Sequence, residues 1–151
     1  MKWGFLMESL QSIAFQALTP EEALTLVAVM RRIVPHTHPT LIEAIWLTAQ
    51  SYDARLVDQV FLRQEVRSKL RELNLHSQKT FGQAFSDLEP DQQDTLLRGI
   101  EDTPFFQNLI NATISDFYNR HAVWEVIGYP GLEQRDGAGY LNKGFDHLPW
   151  D

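Results

Sequence analysis

The chain has 151 residues, of which 44% are hydrophobic, and it carries a formal net charge of −7 and no cysteine. This length and composition predict a single domain that spans residues 1–151. The acidic balance, without any run of Lys or Arg, argues against nucleic acid as a partner, and the absence of cysteine excludes disulfides, thiol nucleophiles and haem attachment through cysteine.

The amino-terminal stretch, residues 1–18, predicts an amphipathic helix with one buried stripe. Polar residues interrupt the stripe, so the stretch does not resemble the apolar core of a signal peptide. No part of the chain approaches the roughly 20 consecutive apolar residues that a membrane-spanning helix needs. We therefore expect the chain as encoded to be cytoplasmic and not inserted in a membrane, or periplasmic or membrane-associated if it is exported with a partner or if a signal has been removed. The stripe consists of Trp3, Leu6, Leu10, Ile13 and Ala17.

The run Thr19-Pro20-Glu21-Glu22 marks the start of the next helix. Thr19 is a favourable N-cap, Pro20 takes the first helical position, and Glu22 lies three residues after the cap, which together make a capping box. The helix must end before Pro35, because proline disfavours helical geometry in the residue that precedes it. Apolar residues occupy more than one side of this helix, so we predict that it is central in the fold.

Two further helices are predicted in the middle of the chain. Residues Leu41 to Tyr52 mark the first of them, and Asp53 is predicted to start the second, which runs to Leu73. The stretch from Arg63 to Arg67 is polar, so we expect the helix to be kinked or locally exposed there.

The second half of the chain predicts three more helical segments. A short one includes Phe81 to Leu88, Pro90 opens another that reaches Ile100, and Thr103-Pro104 opens the last, which continues through Phe117 to Tyr118. The last is rich in large apolar side chains and is predicted to be the main core helix of this half. No alternating pattern indicates a strand. The predicted fold class is therefore all-α, a compact bundle of about six or seven helices.

Residues 119–151 have a different composition, which predicts an extended irregular strip without helical period. Five of the eight glycines lie here together with several aromatic residues. Because large rings regain free energy only when they are buried, we expect the strip to be ordered and packed on the helices, on a partner, or on both. Trp and Tyr are also enriched in the buried centres of protein interfaces. The aromatic residues are Trp124, Tyr129, Tyr140, Phe145 and Trp150.

The sequence offers few residues that carry chemistry. His36 and His38 are weak candidates for metal ligands, because two imidazoles two residues apart in a loop can face one ion. We favour the interpretation that they are loop histidines between two prolines. Gly128-Tyr-Pro-Gly131 lacks the glycine spacing of a phosphate-binding loop and predicts a tight turn instead. We predict no catalytic residue and no metal site.

Three motifs in the carboxy-terminal half resemble a known family. They are Phe105-Phe-Gln-Asn-Leu-Ile-Asn-Ala-Thr-Ile-Ser-Asp-Phe-Tyr118, Trp124-Glu-Val-Ile-Gly-Tyr-Pro-Gly131 and Gly139-Tyr-Leu-Asn-Lys-Gly-Phe145. Together they resemble the carboxy-terminal signature of the gluconate 2-dehydrogenase subunit 3 family. Leu18-Thr-Pro-Glu-Glu-Ala23 is similar to a pattern near the start of family members, whereas Thr40 to Gln78 is not aligned.

The resemblance implies a function. Family members are small gamma subunits of membrane-associated, flavin-dependent sugar and polyol dehydrogenases, and many carry a twin-arginine export signal, which we do not find in this sequence. A non-catalytic, chaperone-like accessory subunit is implied, one that escorts a large flavoprotein of the glucose-methanol-choline type and supports its maturation, stability or export. FAD is expected in the large subunit, no cofactor is expected in this chain, and a multihaem cytochrome c subunit is a further expected partner. The predicted partner-binding residues are Trp124, Tyr129, Pro130, Gly131, Tyr140 and Phe145.

Two alternatives remain open at this point. One is a small-molecule or metal-binding helical enzyme that uses His36 and His38, with His121 as a further ligand. The other is an independent homo-oligomeric interaction domain that uses the aromatic strip to bind a second copy of itself.

Overall fold

The computed structural model describes residues 15–128, which form six α-helices and one short 3-10 helix without any strand. This confirms the predicted all-α fold class. No helix in this part of the chain is both long and apolar enough to cross a membrane. The helices are α1 (Pro20–Ile33), α2 (Pro39–Leu56), α3 (Val60–Phe81), the 3-10 helix (Phe85–Asp87), α4 (Pro90–Arg98), α5 (Pro104–Phe117) and α6 (His121–Ile127).

Two helix starts form as their residues predict. The Glu22 N–H donates to Thr19 Oγ1 at 3.2 Å and the Thr19 N–H donates to Glu22 Oε1 at 3.0 Å, so the capping box of α1 is complete. At the start of α5, the Phe106 N–H donates to Thr103 Oγ1 at 3.2 Å. Each cap satisfies backbone N–H groups that the first turn of a helix leaves without an internal partner.

Helix α1 is the centre of the bundle, as predicted. It packs against α2, α3, α4, α5 and the 3-10 helix. Leu26, Met30 and Ile33 on this helix are fully buried, and so are Phe106 and Phe117 of α5. A helix that packs against several neighbours has to be apolar on more than one side, which explains why nine of the 14 residues of α1 are buried.

A buried carboxylate joins α1 to α3. Glu22 is 4% exposed, and besides capping α1 it accepts hydrogen bonds from Arg67 Nε at 2.9 Å and Arg71 Nη1 at 3.0 Å. Burial raises the pKa of Glu22, but the hydrogen bond from Arg67, the Thr19 N–H and the two guanidinium charges outweigh burial and lower that pKa overall. The capping residue of one helix therefore also aligns the helix packed beside it.

The prediction that Asp53 starts a helix is wrong. Helix α2 continues through Asp53 to Leu56, and the Asp53 carboxylate, 1% exposed, accepts hydrogen bonds from the backbone N–H groups of Gln16, Ala17 and Leu18 at 2.7, 2.9 and 2.9 Å. Aspartate is favoured at N-caps because it accepts backbone N–H bonds, and here it accepts them from a distant segment instead. Ala17 is therefore not helical, and the other residues of the predicted first stripe lie outside the described residues.

The boundaries of the following elements also differ from the prediction. Helix α3 runs without a break from Val60, with Gln64 exposed in its polar stretch, so the local exposure predicted there is confirmed. The helix includes Phe81 and ends at Gly82, whose φ of 76° lies in the left-handed region that favours glycine. Ile100 follows α4 and is not part of it.

The predicted absence of helical period after residue 119 is wrong for His121–Ile127, which form α6. The helix ends at Gly128, where φ is 81° and the N–H donates to the Trp124 carbonyl oxygen at 2.9 Å. At its start the helix has no side-chain cap, and it packs on α2 through the fully buried Val123. So short a helix is stable only through such tertiary packing. The rest of the predicted strip, residues 129–151, lies outside the described residues.

Candidate partner-binding surface

Trp124 is the one predicted partner-binding residue that lies within residues 15–128. It is partly buried on α6, its indole Nε1–H donates to the Tyr118 carbonyl oxygen at 2.6 Å, and its ring meets His121 edge-on at 5.9 Å. Trp124 therefore joins α6 to the end of α5 and also contributes to the surface. The other predicted residues, Tyr129, Pro130, Gly131, Tyr140 and Phe145, lie outside the described residues.

Arg120 fixes the position of α6 in the bundle. Its guanidinium donates to Asp116 Oδ2 at 2.9 Å, to Ser51 Oγ at 3.0 Å and to Thr48 Oγ1 at 3.2 Å, so one side chain connects the end of α5 to α2 immediately before α6 begins. Sequence reasoning missed this role. The spacing of Asp116 and Arg120, four residues apart, was an available signal, but the two α2 hydroxyls could not be foreseen.

An aromatic cluster lies beside Trp124. The His36 ring, in the loop between α1 and α2, stacks on Phe117 with centroids 5.6 Å apart, and His36 Nε2 lies 3.0 Å from the Tyr118 hydroxyl. Phe117 and Tyr118 meet edge-on at 4.8 Å. Burial lowers the pKa of His36, so the ring is neutral at pH 7. Tyr118 thus contacts the α1–α2 loop through its hydroxyl and α6 through its carbonyl oxygen.

The two histidines of the candidate metal pair are held by different partners. His36 faces Tyr118 across the loop, whereas His38 caps α2 and accepts the Thr40 N–H on Nδ1 at 3.1 Å. On α6, His121 Nε2 lies 3.1 Å from Glu125 Oε2. Across residues 15–128 no three or more His, Asp or Glu side chains form a group that could hold a metal ion. The structure does not bring the three histidines together as a site.

A cleft of about 470 Å³ opens between α1, the α1–α2 loop and the segment that leads into α4. His36 and the buried Trp46 line it, and so do Arg31 and Arg32. Burial, and then the charge of Arg32, lower the pKa of Arg31, while Arg32 donates to both carboxylate oxygens of Asp94 at 2.8 and 3.1 Å. About half of the lining residues are polar or charged.

The surface of α3 carries exposed apolar side chains that sequence reasoning did not single out. Phe61 is 86% exposed, Leu75 69% and Val60 47%. Single exposed apolar residues are common on soluble proteins, so their significance depends on what surrounds each of them. For Leu75 the sequence held a signal that was not used: it lies five and two residues from the buried Leu70 and Leu73, outside the spacings of three and four that keep residues on one helix face.

These features define a class of protein: an all-α domain with a short, firmly anchored helix at its carboxy-terminal end and exposed aromatic and apolar side chains. A comparison with models of protein families matches residues 20–131 to the family described as gluconate 2-dehydrogenase subunit 3. The chain belongs to the gluconate 2-dehydrogenase subunit 3 family, and the resemblance seen in its motifs is confirmed. Searches of curated proteins and of solved structures found no match.

The family match includes Thr40 to Gln78, which the motifs alone did not align, and it ends at Gly131. Trp124, Tyr129, Pro130 and Gly131 lie within the matched residues, and Tyr140 and Phe145 lie beyond them. Membership places the chain among subunits of dehydrogenase complexes.

Proposed function

We propose that this chain is a non-catalytic accessory subunit that binds a glucose-methanol-choline-type flavoprotein dehydrogenase and supports its maturation, stability or export. The flavoprotein would act on a sugar, a sugar acid or a polyol and would hold the FAD, and a multihaem cytochrome c subunit would take up its electrons. The observation that carries this proposal is the family match over residues 20–131.

The proposed contact surface is Trp124 together with the residues that follow α6. Val123 and Arg120 hold α6 against α2, so Trp124 has a fixed position before a partner arrives. A preorganised anchor loses little conformational freedom on binding, which favours affinity. The partner-binding residues proposed with Trp124 are Tyr129, Pro130, Gly131, Tyr140 and Phe145.

Co-expression with a glucose-methanol-choline-type flavoprotein dehydrogenase from the same organism tests the proposal. We expect the two chains to co-purify, and we expect the flavoprotein made with its partner to contain more FAD and to be more active than when made alone. A flavoprotein with the same yield, FAD content and activity in the absence of this chain would contradict the proposal.

Two substitutions of Trp124 distinguish a loss of partner binding from a loss of folding stability. Trp124→Ala is expected to weaken the complex at least tenfold, because aromatic side chains at interface centres contribute about 2 kcal/mol or more. Trp124→Phe keeps a ring but loses the hydrogen bond to Tyr118, so it serves as the matched control and is expected to retain most of the affinity. Equal losses in both variants, with lower melting temperatures, would assign Trp124 a purely structural role.

A further inference from the structure

Tyr118 connects two parts of the bundle that are distant in the chain. It follows the last residue of α5, and the final carbonyl groups of a helix have no hydrogen-bond partner within that helix. The carbonyl oxygen of Tyr118 accepts the indole N–H of Trp124 at 2.6 Å, while its hydroxyl lies 3.0 Å from His36 Nε2 in the loop between α1 and α2. His36 and Trp124 are therefore linked through a single residue.

The bond to Tyr118 acts on the orientation of the Trp124 ring, whereas Arg120 acts on the position of the helix that carries it. Arg120 binds Ser51 and Thr48 of α2 immediately before α6 begins. Trp124 lies about one turn further along, and a side chain there can occupy one of a few staggered rotamers. The indole N–H that donates to a carbonyl oxygen outside α6 favours one of them. A partner that binds this ring meets the orientation that Tyr118 sets.

Aromatic packing holds the side chain of Tyr118 in place. Its ring meets the fully buried Phe117 edge-on at 4.8 Å and His36 edge-on at 6.1 Å. His36 stacks on Phe117 with centroids 5.6 Å apart and 11° between the ring planes. Each of the three rings thus contacts the other two. A displacement of His36 would remove two of these three ring contacts and the bond to the Tyr118 hydroxyl.

Protonation of His36 acts against this arrangement. In the neutral ring Nε2 can accept the Tyr118 hydroxyl proton, whereas the protonated ring carries an N–H on both nitrogens and cannot accept a hydrogen bond. The charge would also lie in a partly buried place, and burial lowers the pKa of His36.

The charged groups around His36 act on its ring in opposite directions. Two guanidinium groups and two carboxylates line the cleft together with His36, and from α2 the cleft is lined by Trp46, which is not ionisable. The Tyr118 hydroxyl is the ionisable group that follows α5. The guanidinium groups belong to Arg31 and Arg32 of α1, and the carboxylates belong to Asp87 of the 3-10 helix and Glu89, which precedes α4.

We propose that His36 is a positioning residue of the partner-binding surface. The neutral ring holds Tyr118, and through it Trp124, in the orientation that the dehydrogenase partner binds, and protonation of His36 releases that orientation. Partner binding is therefore strongest above the pH at which His36 takes up a proton, and it weakens below that pH. The inference rests on the proposed function and adds to it a regulation by pH.

NMR of the indole N–H groups in the isolated full chain tests the link without the partner. The sequence has four tryptophans, and Trp124→Phe identifies the signal of Trp124. Between pH 7 and 5 we expect this signal to move upfield and to exchange faster with solvent, with the same midpoint as the His36 ring. His121 meets the Trp124 ring edge-on at 5.9 Å and is itself ionisable, so the chain used for this measurement carries His121→Gln.

Tyr118→Phe separates the link from the titration of His36. It keeps the aromatic ring and the backbone carbonyl group but removes the hydroxyl, so His36 still titrates while the Trp124 signal is expected to lose most of its pH dependence. His36→Gln is expected to abolish that dependence.

His38→Gln is the matched control. It removes a histidine of the same loop whose Nδ1 accepts the Thr40 N–H, and it is expected to leave the response of Trp124 unchanged. Circular dichroism and melting temperature at pH 7 confirm that each variant is folded.

The affinity for the flavoprotein at different pH values tests the consequence for binding. From pH 7 to 5 the wild-type affinity is expected to fall about fivefold or more, within the range of typical coupling between two sites. Tyr118→Phe is expected to bind with little dependence on pH. Ionisation within the flavoprotein affects both chains equally, so the difference between them reports on His36.

Three outcomes would overturn the inference. A Trp124 signal that does not change at the midpoint of His36, or that changes equally in Tyr118→Phe, would overturn it and leave the proposed function intact. Equal pH dependence of binding in the wild type and in Tyr118→Phe would do the same. If the wild-type chain does not bind the flavoprotein at any pH, the proposed function falls and the inference falls with it.

Discussion

At the residue scale, His36 shows how burial decides the role of an ionisable group. The ring stacks on Phe117 and faces the Tyr118 hydroxyl, and burial lowers its pKa below the usual value. An unfolded chain takes up a proton near the ordinary histidine pKa of about 6.5, whereas the folded chain does so only at lower pH. His36 therefore makes folding less favourable as the pH falls below about 6.5, until the folded-state pKa is reached.

We expect His36→Gln to flatten the pH dependence of the free energy of unfolding below about 6.5, because glutamine does not titrate in this range. The measurement is urea unfolding at a series of pH values between 7 and 5. Tyr118→Phe is the control. It removes a hydrogen bond at a cost of about 1 kcal/mol at every pH but leaves His36 buried, so the slope is expected to stay. A His36→Gln slope equal to that of the wild type would refute this account.

Residue identity alone did not reveal which partners a side chain would find. Trp124 was selected from the sequence because tryptophan is common in interfaces, and the structure places it at the α5–α6 junction. Arg120 was missed, since its importance depends on α2 hydroxyls that are 69 and 72 residues away in the chain. Such contacts are set by tertiary packing, which short-range patterns do not encode.

At the scale of elements, helix boundaries were predictable where the cap chemistry is local. The starts of α1 and α5 were predicted correctly from Thr19-Pro20 and Thr103-Pro104, because the capping residue and its helix are adjacent in the chain. Asp53 misled for the opposite reason, because its carboxylate accepts hydrogen bonds from the N–H groups of residues 16–18, which are distant in the chain. Helix α6 was missed because it has no side-chain cap and depends on packing against α2.

The anchoring of α6 leads to a prediction about Arg120. Arg120→Ala removes bonds to Asp116, Ser51 and Thr48 and is expected to destabilise the fold by about 1–3 kcal/mol. Hydrogen exchange of the α6 amides is expected to rise more than that of the α1 amides, because the loss is local. Arg120→Lys is expected to rescue little of this, since an ammonium cannot reproduce the guanidinium fork.

Glu125→Ala provides the control for Arg120. Glu125 lies on the exposed side of α6, where it pairs only with the exposed His121 within the described residues, and such pairs contribute less than about 1 kcal/mol. If Glu125→Ala accelerated exchange in α6 as much as Arg120→Ala does, Arg120 would not be the anchor of the helix.

At the scale of the whole molecule, the described helices share one core. Helix α1 contacts both the early and the late helices, and buried side chains from all six helices join a single apolar cluster. A core of this kind unfolds cooperatively, so a deep substitution in one helix lowers the stability of all of them. The central place of α1 and the role of α5 as a core helix were both predicted from the sequence, because both helices are rich in apolar residues.

Two phenylalanines make the contrast between core and surface measurable. Phe106→Ala, at a fully buried position, is expected to destabilise the protein by about 3–5 kcal/mol, whereas Phe61→Ala, at an 86% exposed position, is expected to change stability by less than about 0.5 kcal/mol. Chemical unfolding monitored by circular dichroism gives both values. A large loss for Phe61→Ala would show that Phe61 is buried in solution.

The Asp53 carboxylate has a consequence for chain topology. By binding the N–H groups of residues 16–18, this carboxylate closes a loop of about 37 residues. The loop contains α1 and α2, with the turn between them opposite the point of closure. Closing a flexible loop of that length costs roughly 3 kcal/mol of chain entropy. Helices α1 and α2 are therefore antiparallel and connected at both ends, by the turn at one end and by the Asp53 hydrogen bonds at the other. This is a non-covalent counterpart of a disulfide-closed loop in a protein that has no cysteine.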